Sequence, residues 1–438
     1  MSVRAFAAYL GVAERTVSTW EKAGRQTKPW PNNQAILDTA LAQASDEARA
    51  RFTQLLAAGA LATTPAQESP LTGTSWPADG ASARAAAVAL WSADENGASL
   101  VDGTMQTASH SVIFKWLLVR HGDDVGELPA RADSRQVTRD DVAALLAMKR
   151  SMTSLDDEHG GGAALPLILK YLSSEVAPLL HGRFPERLGR ELFAAAAELA
   201  RLAGWMAYDA GQHGHARKQM LQALRLSQVA DDRLFGGRVL VAMSHQALHI
   251  GQLHDGLDFA AAATQGANAA GLPAAVALFA ASEARALAVS GDKQASLNLM
   301  HRAERALSRA NAAEGPEWLG FMDEAELAGK FGRCFRDLGM YSEAERHLHT
   351  SLTLHKVQYL RSRAITKIIH ATNYARQREL EAACQLGLEA LPEIGRLRSQ
   401  RTKEYLTDLV RSLEHYDAEP LVQSFEEQAK HLLMSGRT

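Results

Sequence analysis

Four stretches decide the fold of this chain: GQHGHARKQMLQA (211–223), GQLHDGLDFAAAA (251–263), GDKQASLNLMHRA (291–303) and GMYSEAERHLHTS (339–351). Each opens on a glycine. A small residue follows five positions later, a larger one nine later and a small one twelve later. The matching sets are Gly211, Ala216, Met220, Ala223, then Gly251, Gly256, Ala260, Ala263, then Gly291, Ser296, Met300, Ala303, then Gly339, Ala344, Leu348, Ser351. Arg378, Ala383, Gly387 and Ala390 form a fifth, weaker copy. Positions five, nine and twelve lie on one helical face, and small residues there let a second helix approach closely. The anchors stand 40, 40, 48 and 39 residues apart. One helix pair of this size cannot bury its own apolar face, so successive pairs must stack on each other. The expected fold is all-α, with a solenoid over 196–438. Leu406, Leu409 and Leu413, then Leu421 and Phe425, mark a C-terminal pair of capping helices.

The residues outward from the repeats are organised differently. Residues 83–195 read as an irregular helical region, with helices over 84–91, 109–118 and 138–155, and Asp140 and Asp141 at the N-terminus of the third. Gly160, Gly161 and Gly162 precede an apolar helix. A glycine run before a helix can cradle phosphate. No Lys-Ser/Thr follows it and no strand precedes it, so the run reads as a helix end and a tight turn. Residues 60–82, rich in Pro, Ser, Thr and Gly, read as a flexible linker. They bound a first domain over 1–59.

That first domain opens on MSVRAFAAYLGVAERTVSTWEK (1–22), which reads as helix, turn at Gly11, helix. Phe6 and Leu10 share one face, Val17 and Trp20 the next, and Ala7 is small where the helices cross. This is the pattern of a DNA-reading helix-turn-helix. The outward set of the second helix, Glu14, Arg15, Thr16, Ser18, Thr19 and Lys22, suits base edges and phosphates, and Arg25 and Lys28 in the following loop suit the DNA backbone. Over 1–30, five basic residues oppose two acidic ones. So modest a charge needs a second copy to bind DNA well, and a homodimer is expected.

GVAERTVSTWEKAG (11–24) resembles the Xre, or lambda-repressor-like, helix-turn-helix regulators, in the form common in actinomycetes that carries tetratricopeptide repeats. MYSEAERHL (340–348) is close to the tetratricopeptide consensus. The resemblance implies a transcriptional regulator with a tetratricopeptide-like α-solenoid. In that family five helices make the DNA-binding domain, and its first helix would lie upstream of Ser2, so this helix-turn-helix is expected to lack it.

Composition narrows the class. The 438 residues carry a net charge of −3, so basicity is local to the head. Cys334 and Cys384 have neither zinc nor disulfide spacing and read as small core residues. No membrane span and no signal peptide are expected, and the location that follows is the cytoplasm. No nucleophile, paired-carboxylate or cofactor pattern stands out, so neither an enzyme nor a cofactor is expected.

Six residues before each anchor, one inner-wall position recurs: Trp205, His245, Arg285, Arg333 and Thr372. Arg201, Tyr208, His249, Arg336 and Asn373 are inward neighbours. Guanidinia and aromatics in a row suit a peptide, a small acidic molecule or a protein partner as effector. The bland reading pairs these groups with Glu283, Glu324 and Glu326 on the same helices. His245 and His249 have a metal-compatible spacing, but HQALH lacks a metalloprotease glutamate and no third ligand is evident, so no metal is expected. The function expected is therefore a DNA-binding regulator whose solenoid senses a ligand; the alternative is a protein–protein adaptor with an inactive head. Arg15→Ala should cost about 1–3 kcal/mol at one base position and relax preference there, whereas Lys28→Ala should weaken all duplexes alike and lower the salt slope by about 1. Fluorescence anisotropy over a salt series distinguishes them, and identical behaviour would contradict the placement of the recognition helix.

Overall fold

The computed structural model divides the chain into two compact units, 1–69 and 70–438. It describes residues 79–95, 109–118, 134–268, 271–311, 314–356 and 359–434, together with Ala7 and Val17. Ala7 and Val17 are helical and buried. Glu14, Arg15, Thr16, Ser18, Thr19, Lys22, Arg25 and Lys28 lie outside the described residues, as do residues 60–78 of the linker expected over 60–82. The last residues of that stretch, Gly80, Ala81 and Ser82, are helical instead, because Asp79 caps a helix there: the Ser82 N–H donates to Asp79 Oδ1 at 2.7 Å.

The second unit is helical among the described residues, apart from one isolated bridge between Gln136 and Arg183. It begins with α1 (Gly80–Glu95), α2 (Ser109–Leu118), α3 (Arg139–His159), α4 (Gly161–Tyr171) and the short α5 (Ala177–Leu180), the last two joined by one π-helical turn. Six hairpins follow. They are α6 (Glu186–Asp209) with α7 (His213–Val229), α8 (Arg233–His249) with α9 (Leu253–Asn268), and α10 (Pro273–Ser290) with α11 (Lys293–Leu307). Then come α12 (Glu324–Asp337) with α13 (Tyr341–Leu354), α14 (Leu360–Arg376) with α15 (Leu380–Gly395), and α16 (Gln400–Leu413) with α17 (Pro420–Met434). The position at which the sequence separates an irregular region from the repeats, 195/196, lies inside α6, and both parts belong to one unit.

The repeat signature is explained by the turn it makes. Gly211, Gly251, Gly291 and Gly339 end the first helix of their hairpins with φ between 73° and 85°, a region closed to most side chains. Arg378, the anchor of the weak copy, holds φ 65° and makes the same turn at a steric cost. The small and large positions that follow are buried in every copy. Ser244 Oγ donates to the Gly256 carbonyl at 2.7 Å and Ser296 Oγ to the Ala284 carbonyl at 2.8 Å, so paired helices nearly touch. The longer third spacing is an insertion between α11 and α12 that includes one 3₁₀ turn, Glu317–Leu319. The apolar core runs along the hairpins in two stretches that meet at Phe335.

Helices α1 and α2 pack on the second helices of the first two hairpins. Trp91 Nε1 donates to Gln219 Oε1 at 3.1 Å, and Trp116 covers Gly236, where a Cβ would stand 2.6 Å from the indole, and Gly266, where it would stand 3.1 Å from it. Contrary to expectation, two stretches, Gly161–Leu180 and Pro273–Ser290, are long and apolar enough to cross a membrane. Both belong to the core: Ala164, Leu165, Ile168, Leu172, Ala277, Leu278 and Phe279 are buried. A helix covered on several sides is apolar all round, which is what their sequence shows. In the C-terminal pair Leu406, Leu409, Leu413 and Phe425 are buried as expected, but Leu421 is exposed and Val422 takes the inward place.

The last hairpin returns to the first. Gly160 caps α3 with φ 83°, its N–H donating to the Asp156 carbonyl at 2.9 Å. The Arg398 N–H donates to the His159 carbonyl at 2.7 Å, and the Gly162 N–H to the Arg398 carbonyl at 2.8 Å. The glycine run is thus the helix end and turn read from sequence, and also the seat of the segment before α16. A Cβ on Gly161 would stand 2.5 Å from the Met206 carbonyl oxygen and 2.8 Å from Met206 Cα, with backbone on the far side that cannot swing away. Gly161→Ala is therefore expected to cost roughly 1–3 kcal/mol of stability, the usual range for an overpacked contact. Thermal unfolding of the full chain measures it, and an unchanged midpoint would contradict the close approach of α4 to α6.

Candidate functional site: a cationic lumen

Closing the stack of hairpins brings carboxylates and guanidinia from four distant elements to one buried point. Arg361 of α14 forms a two-pronged bond to Asp156 of α3, Nη1 to Oδ1 at 2.5 Å and Nη2 to Oδ2 at 2.7 Å. Its Nη1 also lies 3.4 Å from Asp209 Oδ2 at the end of α6. Asp209 Oδ1 accepts from Arg401 Nε of α16 at 3.0 Å, and Asp209 Oδ2 accepts from the Gly161 N–H at 2.9 Å. All four residues are at most 5 % exposed. Burial alone would push the Asp209 carboxyl up. Arg361, Arg401 and the Gly161 amide outweigh it and hold the group below its usual range. Asp157 is beside the cluster at 3.4 Å from Arg361, yet burial pushes its carboxyl up to about 6.

Inside the closed stack are two adjoining chambers. The larger, of about 460 Å³, is walled by α3, α6, α8 and the insertion before α12. Trp318 and Phe321 of that insertion line it. The Arg238 guanidinium lies 4.4 Å from the Phe321 ring centre and 5.2 Å from that of Trp318. Burial holds Arg238 well below the usual guanidinium range. Lys149 pairs with Glu198 at 2.9 Å and Arg150 with Glu317 at 3.1 Å, so this chamber carries both signs of charge.

The smaller chamber, of about 110 Å³, is different. Arg285, Lys330, Arg333, Arg361 and Arg401 line it, against a single carboxylate, Glu326. Glu326 pairs with Lys330 one helical turn away at 3.3 Å. Arg285 is 9 % exposed, and its Nε and Nη1 make no hydrogen bond. Its ion pair is with Asp337, whose Oδ2 is 3.6 Å from Nε while Oδ1 of the same carboxylate accepts from Arg336 at 2.5 Å. Arg333 Nη1 has only a long bond to the Gly329 carbonyl, 3.4 Å, and its Nε has no partner. The neighbouring groups respond to this excess of positive charge. Burial and the nearby Arg285 and Arg401 push His245 well below the usual imidazole range, so the ring is neutral. For Tyr405, burial would push the phenol up, but Arg285, Arg333, Arg336 and Arg401 outweigh it and pull the group below its usual range.

The repeat position read from sequence leads to this chamber: Trp205, His245, Arg285 and Arg333 all line it, and Thr372 does not. Arg201 lines the larger chamber. Four of the other expected residues lie elsewhere, because their polar groups are engaged within the fold. Tyr208 is fully buried behind the wall, its hydroxyl 3.0 Å from His245 Nδ1. His249 Nε2 meets Glu404 Oε2 at 2.7 Å, Arg336 bonds Asp337, and Asn373 Nδ2 donates to the Tyr341 carbonyl at 3.0 Å. Of the three carboxylates expected to neutralise the row, Glu326 lines both chambers. Lys330, Arg361, Arg401, Tyr405 and Arg238 were not singled out in the sequence. Lys330 stands three residues before Arg333 on the same helix, a spacing that could have marked it. Cys334 and Cys384 are unpaired and buried, and burial pushes the Cys334 thiol up to about 12, which leaves it inert. Among the described residues no three His, Cys, Asp or Glu side chains gather as a metal site.

Against models of known protein families and against curated proteins the chain finds no match.

Removing Arg361 would leave Asp156 and Asp209 buried with half of their compensation gone. Arg361→Met is expected to cost about 3–5 kcal/mol, the range for breaking a buried ion pair from one side. Urea denaturation of the full chain reads the loss, and a midpoint within error of wild type would show that the cluster does not hold the closure.

Proposed function

We propose that the chain is a sequence-specific DNA-binding transcriptional regulator of the Xre type, whose tetratricopeptide-like solenoid senses a small-molecule effector in its lumen. The observation that carries this reading is the lumen, where Arg285 stands buried and Arg333 half-buried, both without full partners. Leaving a buried donor unsatisfied costs about 1–3 kcal/mol, more when it is charged. A ligand that satisfies such donors recovers that cost on binding. The larger chamber falls within the roughly 300–1,000 Å³ of ordinary small-molecule sites. The modest volumes of the two chambers suit a small molecule better than the extended partner that an adaptor would hold.

The DNA-reading half of the proposal rests on residues 1–28, with Arg15, Thr16, Ser18 and Thr19 at base edges and Lys22, Arg25 and Lys28 at phosphates. Two copies would present two such heads in the cytoplasm. Effector binding regulates only if its affinity differs between the DNA-bound and free states. The lumen supplies a means, since its walls come from helices far apart in the stack, and filling it changes how those helices sit. The test is anisotropy titration of the full chain with duplex from its own upstream region and with a shuffled duplex of equal length. Preference for the native duplex by about 10³-fold or more at physiological salt is expected of a specific regulator. Equal affinity for the two duplexes would overturn the reading and leave the adaptor.

A further inference from the structure

The effector reading leaves the chemistry of the ligand open, and the smaller chamber narrows it. We infer that this chamber is the seat of an oxyanion, a carboxylate or phosphate monoester, carried on an organic body that extends into the larger chamber. The inference rests on the reading of the lumen as a ligand site and adds which part of the ligand goes where.

Three observations carry it. First, charge: five cationic side chains line the smaller chamber against one carboxylate. Arg361 and Arg401 are neutralised by Asp156 and Asp209, and Lys330 by Glu326. Arg285 and Arg333 remain, one with only a carboxylate shared with Arg336 and the other with only a long bond to a carbonyl. Second, burial: Arg285 is nine-tenths buried with Nε and Nη1 unbonded. A buried guanidinium with two nitrogens unbonded is a standing cost, and an oxyanion between Arg285 and Arg333 removes it with the planar, forked geometry that guanidinium bonds best. Third, continuity: Trp205, His245, Lys330 and Arg361 line both chambers, so the two spaces adjoin. The Trp318 and Phe321 rings of the larger chamber then offer flat apolar surface to the body of the ligand. The downward pull on Tyr405 agrees with the same positive field, and its hydroxyl is a further donor to an anion seated there.

The size of the smaller chamber sets the division of the ligand. At about 110 Å³ it holds one headgroup and little more. At about 460 Å³ the larger chamber takes a ring or a short chain. A neutral ligand of the same shape would leave Arg285 and Arg333 as they are and lose the headgroup's contribution.

The test uses the full chain, isothermal titration calorimetry and three probes of similar shape: 4-phenylbutyrate, 3-phenylpropyl phosphate and the neutral 4-phenylbutanamide. At least one acid is expected to bind tenfold or more tightly than the amide, and whichever acid binds more tightly identifies the headgroup as carboxylate or phosphate. Arg285→Met should bring acid and amide within twofold of each other, and Arg285→Lys should restore part of the preference. If Arg285→Met does not fold, Arg333→Gln, at a less buried site, gives the same comparison, and the acid–amide contrast in wild type needs no variant. Equal binding of acids and amide would overturn the oxyanion seat while leaving the lumen a ligand site. Binding of none of the three at millimolar concentration would overturn it as well. Tight acid binding that leaves DNA affinity unchanged would sustain this inference and count against the regulator instead.

Discussion

The buried contact between Asp209 and the two arginines Arg361 and Arg401 is the constraint on which the rest of this unit depends. Asp209 is fully buried and ends the first hairpin's inner helix, while the arginines begin the inner helices of the last two. Such a contact gives little net stability, because desolvating the charges offsets most of their attraction. What it gives is definition. Once one partner is in place, leaving the other unpaired costs several kcal/mol, so the chain has one acceptable closure. Gly160, Gly161 and Gly162 make that closure possible, since the backbones of α3, α6 and the Arg398 segment meet where no side chain fits.

Closure converts a groove into a lumen, and the lumen inherits the charge of the inner helices. The buried atoms Arg285 Nε and Nη1 and Arg333 Nε make no hydrogen bond. The protein offers these side chains only a shared Asp337 and a long bond to the Gly329 carbonyl, so their remaining partners must come from a ligand. The same buried setting keeps His245 neutral, while the charge of the arginines draws Tyr405 toward ionisation against its burial.

Much of this was legible in the sequence, and the part that was not has a common reason. The hairpins could be read because each is a local pattern: an anchor that needs a left-handed turn, then small residues that permit contact. The inner-wall positions Trp205, His245, Arg285 and Arg333 followed from counting back from those anchors. The closure could not be counted. Asp156 and Arg361 stand 205 residues apart, and nothing in either neighbourhood marks the other. Trp318 and Phe321 were hidden because they lie in the stretch that breaks the period. Tyr208, His249, Arg336 and Asn373 were placed on the inner wall by residue type, but Tyr208, His249 and Asn373 are engaged by neighbouring helices and Arg336 by Asp337 on its own helix.

The closure itself is most directly tested by amide hydrogen exchange at Gly161, Gly162 and Arg398 in the full chain. Each of these N–H groups is bonded to a distant part of the chain: Asp209 Oδ2, the Arg398 carbonyl and the His159 carbonyl. None of the three bonds belongs to the hydrogen-bond ladder of a helix. If the first and last hairpins are joined as described, these amides exchange as slowly as those of the buried turns of α6. Exchange at the rate of exposed loops would mean that the stack stands open, and the cationic lumen with it.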